Sequence, residues 1–221
     1  FVDRDTDIDT HIHLDLLNDV GVQLEAARTA GVGAWVVPGV SCARWDAILA
    51  MAEAHQDVYI APGIHPQAAG GCLDPQLDRL RCLLAHSRAV AVGEVGLDRQ
   101  VEVHWQTQEE VFVRMVRLAI EMQKPLLIHA RQSTDRILTL LRQEQGERVG
   151  GIFHAFSGSL ETARKVVDMG FALGVGGVIT FATARRLPEV VREVPAGSLA
   201  LEPVAPSRRP HLIVASLPVR S

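Results

Sequence analysis

Short apolar runs recur along the chain with amphipathic stretches between them. Asp7 to His13, Ala34 to Pro38, Val58 to Gly63, Val90 to Gly93, Leu126 to His129, Gly151 to His154, Phe171 to Val175 and Leu199 to Leu201 read as eight strands. Between two of them, Val111, Phe112, Met115, Leu118, Ala119 and Met122 repeat at the spacing that places apolar groups on one helical face. The same periodicity predicts helices over about 22–30, 44–55, 76–86, 133–143, 160–169 and 184–193. Asp74 with Pro75, Ser133 and Ser159 stand where helices should start, and Gly31, Gly146 and Gly170 where they should stop.

Strand and helix alternating in this way imply parallel strands joined by right-handed crossovers. Eight of them predict a closed α/β architecture, a (β/α)8 TIM-like barrel. An open doubly wound sheet would place a Gly-rich phosphate turn after its first strand, and Thr10-His11-Ile12-His13 occupies that turn here. No linker-like stretch divides the chain, so the expected barrel is one domain over 1–206, followed by an atypical tail over 207–221. Past Leu201 the periodicity stops and four prolines follow, so the eighth helix is expected to be missing.

Composition narrows the classes. The chain has 221 residues, 48% of them hydrophobic, enough for one sizeable core. A formal net charge of -4 makes the whole molecule no polyanion binder, so any nucleic-acid contact must be local. Cys42, Cys72 and Cys82 have neither disulfide-framework numbers nor C-x-x-C spacing, which points to a reducing cytoplasm. The first 30 residues hold no apolar run of the length a signal peptide or membrane span requires, so no membrane association is expected, and no obligate protein partner is evident.

In a barrel, side chains at the C-terminal ends of strands converge on one mouth. His11 and His13 are two apart on the first strand, which points both rings the same way, and Glu94, His129 and His154 each close a later apolar run. A lone histidine at a strand end is ordinarily a hydrogen-bonded rim residue. Four histidines and a carboxylate on one rim instead form a donor set for one or two divalent cations such as zinc or manganese. His65, in Pro-Gly-Ile-His-Pro, and Arg131, two beyond His129, are candidates to orient or clamp a phosphate. Asp98, Asp9 and Asp15 are candidates to orient ligating imidazoles. His55, His86, His104 and His211 fall on helices or in the tail and read as structural.

Asp-Thr-His-Ile-His-Leu-Asp (9–15), Gly-Ile-His-Pro (63–66), Ala-Val-Gly-Glu-Val-Gly-Leu-Asp (91–98), Pro-Leu-Leu-Ile-His-Ala-Arg (125–131) and Phe-His-Ala-Phe-Ser-Gly-Ser (153–159) resemble, in order, the motifs of the TatD family of metal-dependent deoxyribonucleases. Gly-Val-Gly-Gly-Val-Ile-Thr (174–180) is similar to its YjjV-type branch. The resemblance implies a hydrolase barrel with His11, His13, Glu94, His129 and His154 as ligands of two divalent metal ions (Zn, Mg or Mn), Glu94 bridging them. It places His65 and Arg131 near a substrate phosphate, with DNA or another phosphodiester as the partner. The family ends its eighth strand with Glu-Thr-Asp-Ala-Pro, whose Asp ligates metal and takes a proton from water. This chain reads Glu202-Pro203-Val204-Ala205-Pro206, so the Asp position is Val204 and Glu202 is the remaining carboxylate. Weakened hydrolysis, a metal-binding relative of little activity, or another metallo-hydrolase of the same superfamily are the alternatives this departure leaves open.

Overall fold

The alternation of apolar runs and amphipathic stretches resolves into eight strands that all run the same way. A computed structural model describes residues 7–71, 74–180 and 185–202. The strands are β1 (Asp7–Asp9), β2 (Val32–Pro38), β3 (Val58–Ala61), β4 (Val92–Asp98), β5 (Leu126–Arg131), β6 (Gly151–Phe153), β7 (Phe171–Gly176) and β8 (Leu199–Glu202). The helices are α1 (Val20–Thr29), α2 (Trp45–Ala54), α3 (Asp74–Leu84), α4 (Trp105–Met122), α5 (Thr134–Gln143), α6 (Leu160–Asp168) and α7 (Leu187–Glu193). Pro203, Val204, Cys72, the end of the expected barrel at 206 and the 207–221 tail, with the eighth helix judged missing there, lie outside the described residues.

Hydrogen-bonded ladders join β1–β2–β3 and β4–β5–β6–β7–β8, every pair parallel and in sequence order. The two sheets meet where Ile60 bridges Ala89 and where Glu94 N–H donates to Gly39 O at 2.8 Å. β1 packs beside β8, which brings the two ends of the strand order together as a barrel. Among the described residues no helix is long and apolar enough to cross a membrane.

Residue size sorts the two faces of the barrel wall. Trp35, Val37, Val58, Ile60, Leu126, Ile128 and Phe153 face outward into one continuous core with the helices, including Trp45, Phe112 and Met115. Each such fully buried side chain contributes about 1.5–3 kcal/mol of transfer free energy. Their strand neighbours point inward. Ala61, Ala91 and Leu127, with Val36 and Ile152 against them, form a small separate cluster that plugs the interior beneath the mouth.

Four local expectations change. β1 ends at Asp9, so His11 and His13 are not on a regular strand; Asp9 Oδ1 accepts from His11 N–H at 3.0 Å and diverts that group from the ladder. Ile12 N–H still reaches Val36 O at 3.1 Å, which holds the segment along β2. β4 continues past Gly93 to Asp98, so Glu94 lies inside the strand instead of closing it. Imidazoles from neighbouring segments surround that carboxylate, which is why a charge can sit in a strand whose residues are all buried. At the end of α5 the left-handed residue is Gln145 (φ 58°), and Gly146 serves close packing, since a Cβ there would meet Leu141 Cδ2 at 2.6 Å. Ser159 caps α6 as expected, accepting from Thr162 N–H at 3.2 Å. Ser133 heads α5, but its hydroxyl donates to Leu97 O at 2.6 Å and ties that helix to the end of β4.

Gly96, paired in register with His129, has φ 154°, and a Cβ on it would lie 1.8 Å from His129 O. No rotamer change relieves a clash with backbone. Gly96→Ala is therefore expected to force β4 and β5 apart and cost about 3 kcal/mol or more. Urea denaturation measures this, and an unchanged midpoint would contradict the packing described.

Candidate metal centre

Six segments at or near the C-terminal ends of the strands deliver ionisable side chains to one place. His11, His65, Glu94, Asp98 and Glu202 are all buried, as is Asp9 beneath them. Such groups are retained in an interior only when they are paired or ligated.

Glu94 is the hub. Its Oε2 lies 3.5 Å from His11 Nε2 and 3.8 Å from His13 Nε2, while Oε1 accepts from His129 Nδ1 at 2.9 Å. Burial pushes its carboxyl up, but the His11 and His129 imidazoles outweigh that and hold it well below the usual carboxylate range. His129 also donates Nε2–H to Asp98 Oδ2 at 2.9 Å. Burial disfavours its charge, yet Glu94 and Asp98 raise its pKa above an ordinary imidazole's. His154 lies on the other side. Its Nδ1 is 2.9 Å from Glu202 Oε2, without the alignment of a hydrogen bond, and its ring stacks on His11 at 3.4 Å. Burial again opposes its charge, and Glu202 raises its pKa overall.

The remaining groups are tuned toward neutrality. Burial pushes His65 down to about 4, and it lowers His13, helped by His11. Burial raises Asp9 to about 7 against the lowering effect of the His11 N–H bond. His65 sits edge-on to His129, ring centroids 4.4 Å apart, and its Nδ1 accepts from Gln67 N–H at 3.2 Å, which leaves Nε2 to carry the proton.

Three triads offer ligand atoms within 4.8 Å of one another: His11, His13 and Glu94; His11, His154 and Glu202; and His65, Asp98 and His129. Both nitrogens of His11, Nδ1 of His13 and of His154, and Oε1 of Glu202 are buried and make no hydrogen bond. Unpartnered imidazole nitrogens beside carboxylates fit the needs of a divalent cation, which would satisfy the ring lone pairs. The structure thus gathers His11, His13, Glu94, His65, His129, His154 and Glu202, with Asp98 placed to orient His129. Arg131 is exposed on the rim at the end of β5, in register with Asp98.

Two contributors escaped the sequence reading. Arg44 donates to Asp15 Oδ2 at 2.6 Å and to Asp15 O at 3.0 Å, which pins the segment after His13 to the connection after β2. Gly174 makes room for Glu202. A Cβ there would lie 2.3–2.4 Å from the Glu202 carboxylate, whose Oε2 accepts from Ala155 N–H at 2.8 Å. The glycine-rich run at 174–177 is visible in the sequence, but nothing in it says which neighbour needs the space.

A parallel barrel whose mouth concentrates imidazoles and carboxylates belongs to the metallo-hydrolase class of TIM-like folds. The chain is a member of the TatD related DNase family, whose model matches residues 8–214. It is 37% identical to the uncharacterized metal-dependent hydrolase YabD of Bacillus subtilis (strain 168), over 92% of this chain and 81% of YabD. It is 35% identical to the uncharacterized metal-dependent hydrolase YjjV of Escherichia coli K12, over 90% of this chain and 79% of YjjV. The crystal structure of that TatD homologue superposes with a TM-score of 0.83 at 34% identity, over 89% of this chain and 78% of its own. A TatD family hydrolase of Entamoeba histolytica shares the fold at 20% identity, with a TM-score of 0.81 over 90% of this chain and 73% of its own.

His129 and His154 both ionise above the ordinary imidazole value, so protonation stabilises the metal-free fold below about pH 6.5, and this is lost as pH rises through their folded values. A divalent cation ligated by these rings would have to displace those protons. Its apparent affinity is expected to rise with pH and to level off once those raised values are passed, with net proton release. Calorimetry in buffers of different ionisation enthalpy measures the release, and pH-independent binding would contradict it. Gly174→Ala should displace the Glu202 carboxylate and cost about 1–3 kcal/mol. The shorter side chain of Gly174→Ala with Glu202→Asp should recover part of that loss in thermal unfolding, and no recovery would disprove the steric link.

Proposed function

We propose that this protein is a metal-dependent hydrolase that cleaves phosphodiester bonds, with DNA as its substrate class, in the cytoplasm. One observation carries the reading. A buried glutamate turns one oxygen toward His11 and His13 and the other toward His129, the disposition needed to face two cations at once. His11, His13, Glu94, His129 and His154 would hold two divalent ions, Zn, Mg or Mn.

When bound, such ions supply Lewis acidity, lowering the pKa of water and neutralising charge that builds on phosphoryl oxygens. The chain's own groups do the rest. Asp98 keeps Nε2 of His129 occupied, which fixes the ring and turns Nδ1 toward Glu94. His65, neutral above about pH 4, presents Nε2–H as a hydrogen-bond donor to a phosphoryl oxygen without adding charge to an already cationic site. Arg131 offers a guanidinium at the rim for the same phosphate. Glu202 is anchored through Oε2 to Ala155 N–H and keeps Oε1 free, so Oε1 is the atom that takes the proton from the attacking water. The apolar plug beneath the mouth excludes bulk water from below.

Hydrolysis of a 3′-labelled single-stranded oligonucleotide and of bis(p-nitrophenyl) phosphate, each with Zn, Mg and Mn, tests the reading. Glu202→Gln is expected to lose about 10²–10⁴-fold in kcat while keeping its metal content. Val204→Asp, which restores the carboxylate this family carries after the eighth strand, is expected to raise the rate above the parent. Absence of hydrolysis with every metal, or a Glu202→Gln protein as active as the parent, would overturn the assignment.

A further inference from the structure

Arg99 follows the last residue of β4 and stands at the mouth beside the metal centre. Its guanidinium lies over the Trp105 ring, 4.3 Å from the centroid, and its Nε donates to Gln132 O at 3.2 Å. Its backbone N–H donates to Arg131 O at 3.2 Å, so the two arginines sit on adjoining strand ends. Both are exposed, and neither has a carboxylate within 4.0 Å among the described residues.

The nearby acids are already engaged. Asp98 accepts from His129 and from Gln100 N–H at 2.7 Å, and Glu109, which feels the charge of Arg99, gives both oxygens to Arg136 at 2.7 and 2.6 Å. A guanidinium that is stacked on an indole and tethered through Nε has lost much of its rotamer freedom before any ligand arrives. Its Nη nitrogens make no hydrogen bond among the described residues, and this free edge has the geometry that pairs with phosphate oxygens. A chain of net charge -4 otherwise repels polyanions, so a fixed cation at the mouth bears on what can enter.

We infer that Arg99, held by Trp105, binds a phosphate of a polynucleotide strand other than the one being cut, and so makes the site select oligonucleotides over isolated phosphodiesters. This rests on the phosphodiesterase reading above. The test is steady-state kinetics of the metal-loaded full chain on di-, tetra- and decadeoxynucleotides and on bis(p-nitrophenyl) phosphate. In the parent, kcat/KM should climb with length. Arg99→Ala should raise KM for the decanucleotide about 5–30-fold, with a smaller effect on bis(p-nitrophenyl) phosphate, and flatten the length dependence. Arg99→Lys should recover part of it, since charge returns without the stacked fork. Equal KM values for parent and Arg99→Ala at every length would overturn the inference while leaving the hydrolase reading intact. If the parent hydrolyses nothing, the hydrolase reading fails. Fluorescence anisotropy with a labelled decanucleotide then decides the Arg99 contact: weaker binding by Arg99→Ala, with a log K against log salt slope shallower by about 1, supports it, and equal or absent binding overturns it.

Discussion

The charge on Glu94 is the constraint around which this barrel is organised. A carboxylate that is almost wholly out of water in the middle of a strand persists only if opposite or polarisable groups surround it. Those groups come from elsewhere in the chain: His11 and His13 from the segment after β1, and His129 from β5. The electrostatic demand of one side chain therefore binds three segments together at the mouth, where the strand ladders themselves are ending. The same groups would form a donor set if a cation replaced their protons.

Beneath this polar layer the barrel is small and apolar. Ala61 and Ala91 leave space that Leu127, Val36 and Ile152 fill, while the bulky residues of the same strands face the helices. The wall is thus thin inside and thick outside, so the mouth has a dry floor and rigid supports. Missing side chains serve the same end. Gly96 admits the carbonyl of His129, and Gly174 admits the carboxylate of Glu202.

Around the outside, Arg28 with Asp57, Arg79 with Asp46, Arg81 with Glu121, Arg117 with Glu144 and Arg136 with Glu109 link neighbouring elements. Exposed pairs of this kind are worth about 0–1 kcal/mol each, and they add little to what the core provides. Arg44 with Asp15 differs because the Asp15 side chain is only 4% exposed and stands two residues from His13. That bridge holds the segment carrying His11 and His13 against the rim, which gives it a part in the candidate site that the others lack.

Much of this was legible in the sequence. The apolar periodicities marked all eight strands and seven helices, because each element repeats its own burial pattern locally, and His11, His13, Glu94, His129, His154, Asp98 and His65 stood out as polar residues beside apolar runs, whereas Glu202 drew notice only through the family resemblance. Element ends were less legible. Glu94 reads as a stop in one dimension and becomes an interior strand residue only when imidazoles from other segments neutralise it. The partnership of His154 with Glu202, the space left by Gly174 and the stack of Arg99 on Trp105 were decided by the tertiary structure alone. Local sequence sets which face of an element is apolar and which residue types stand near its end. Which residues meet across strands depends on register and closure of the barrel, and these are properties of the assembled sheet.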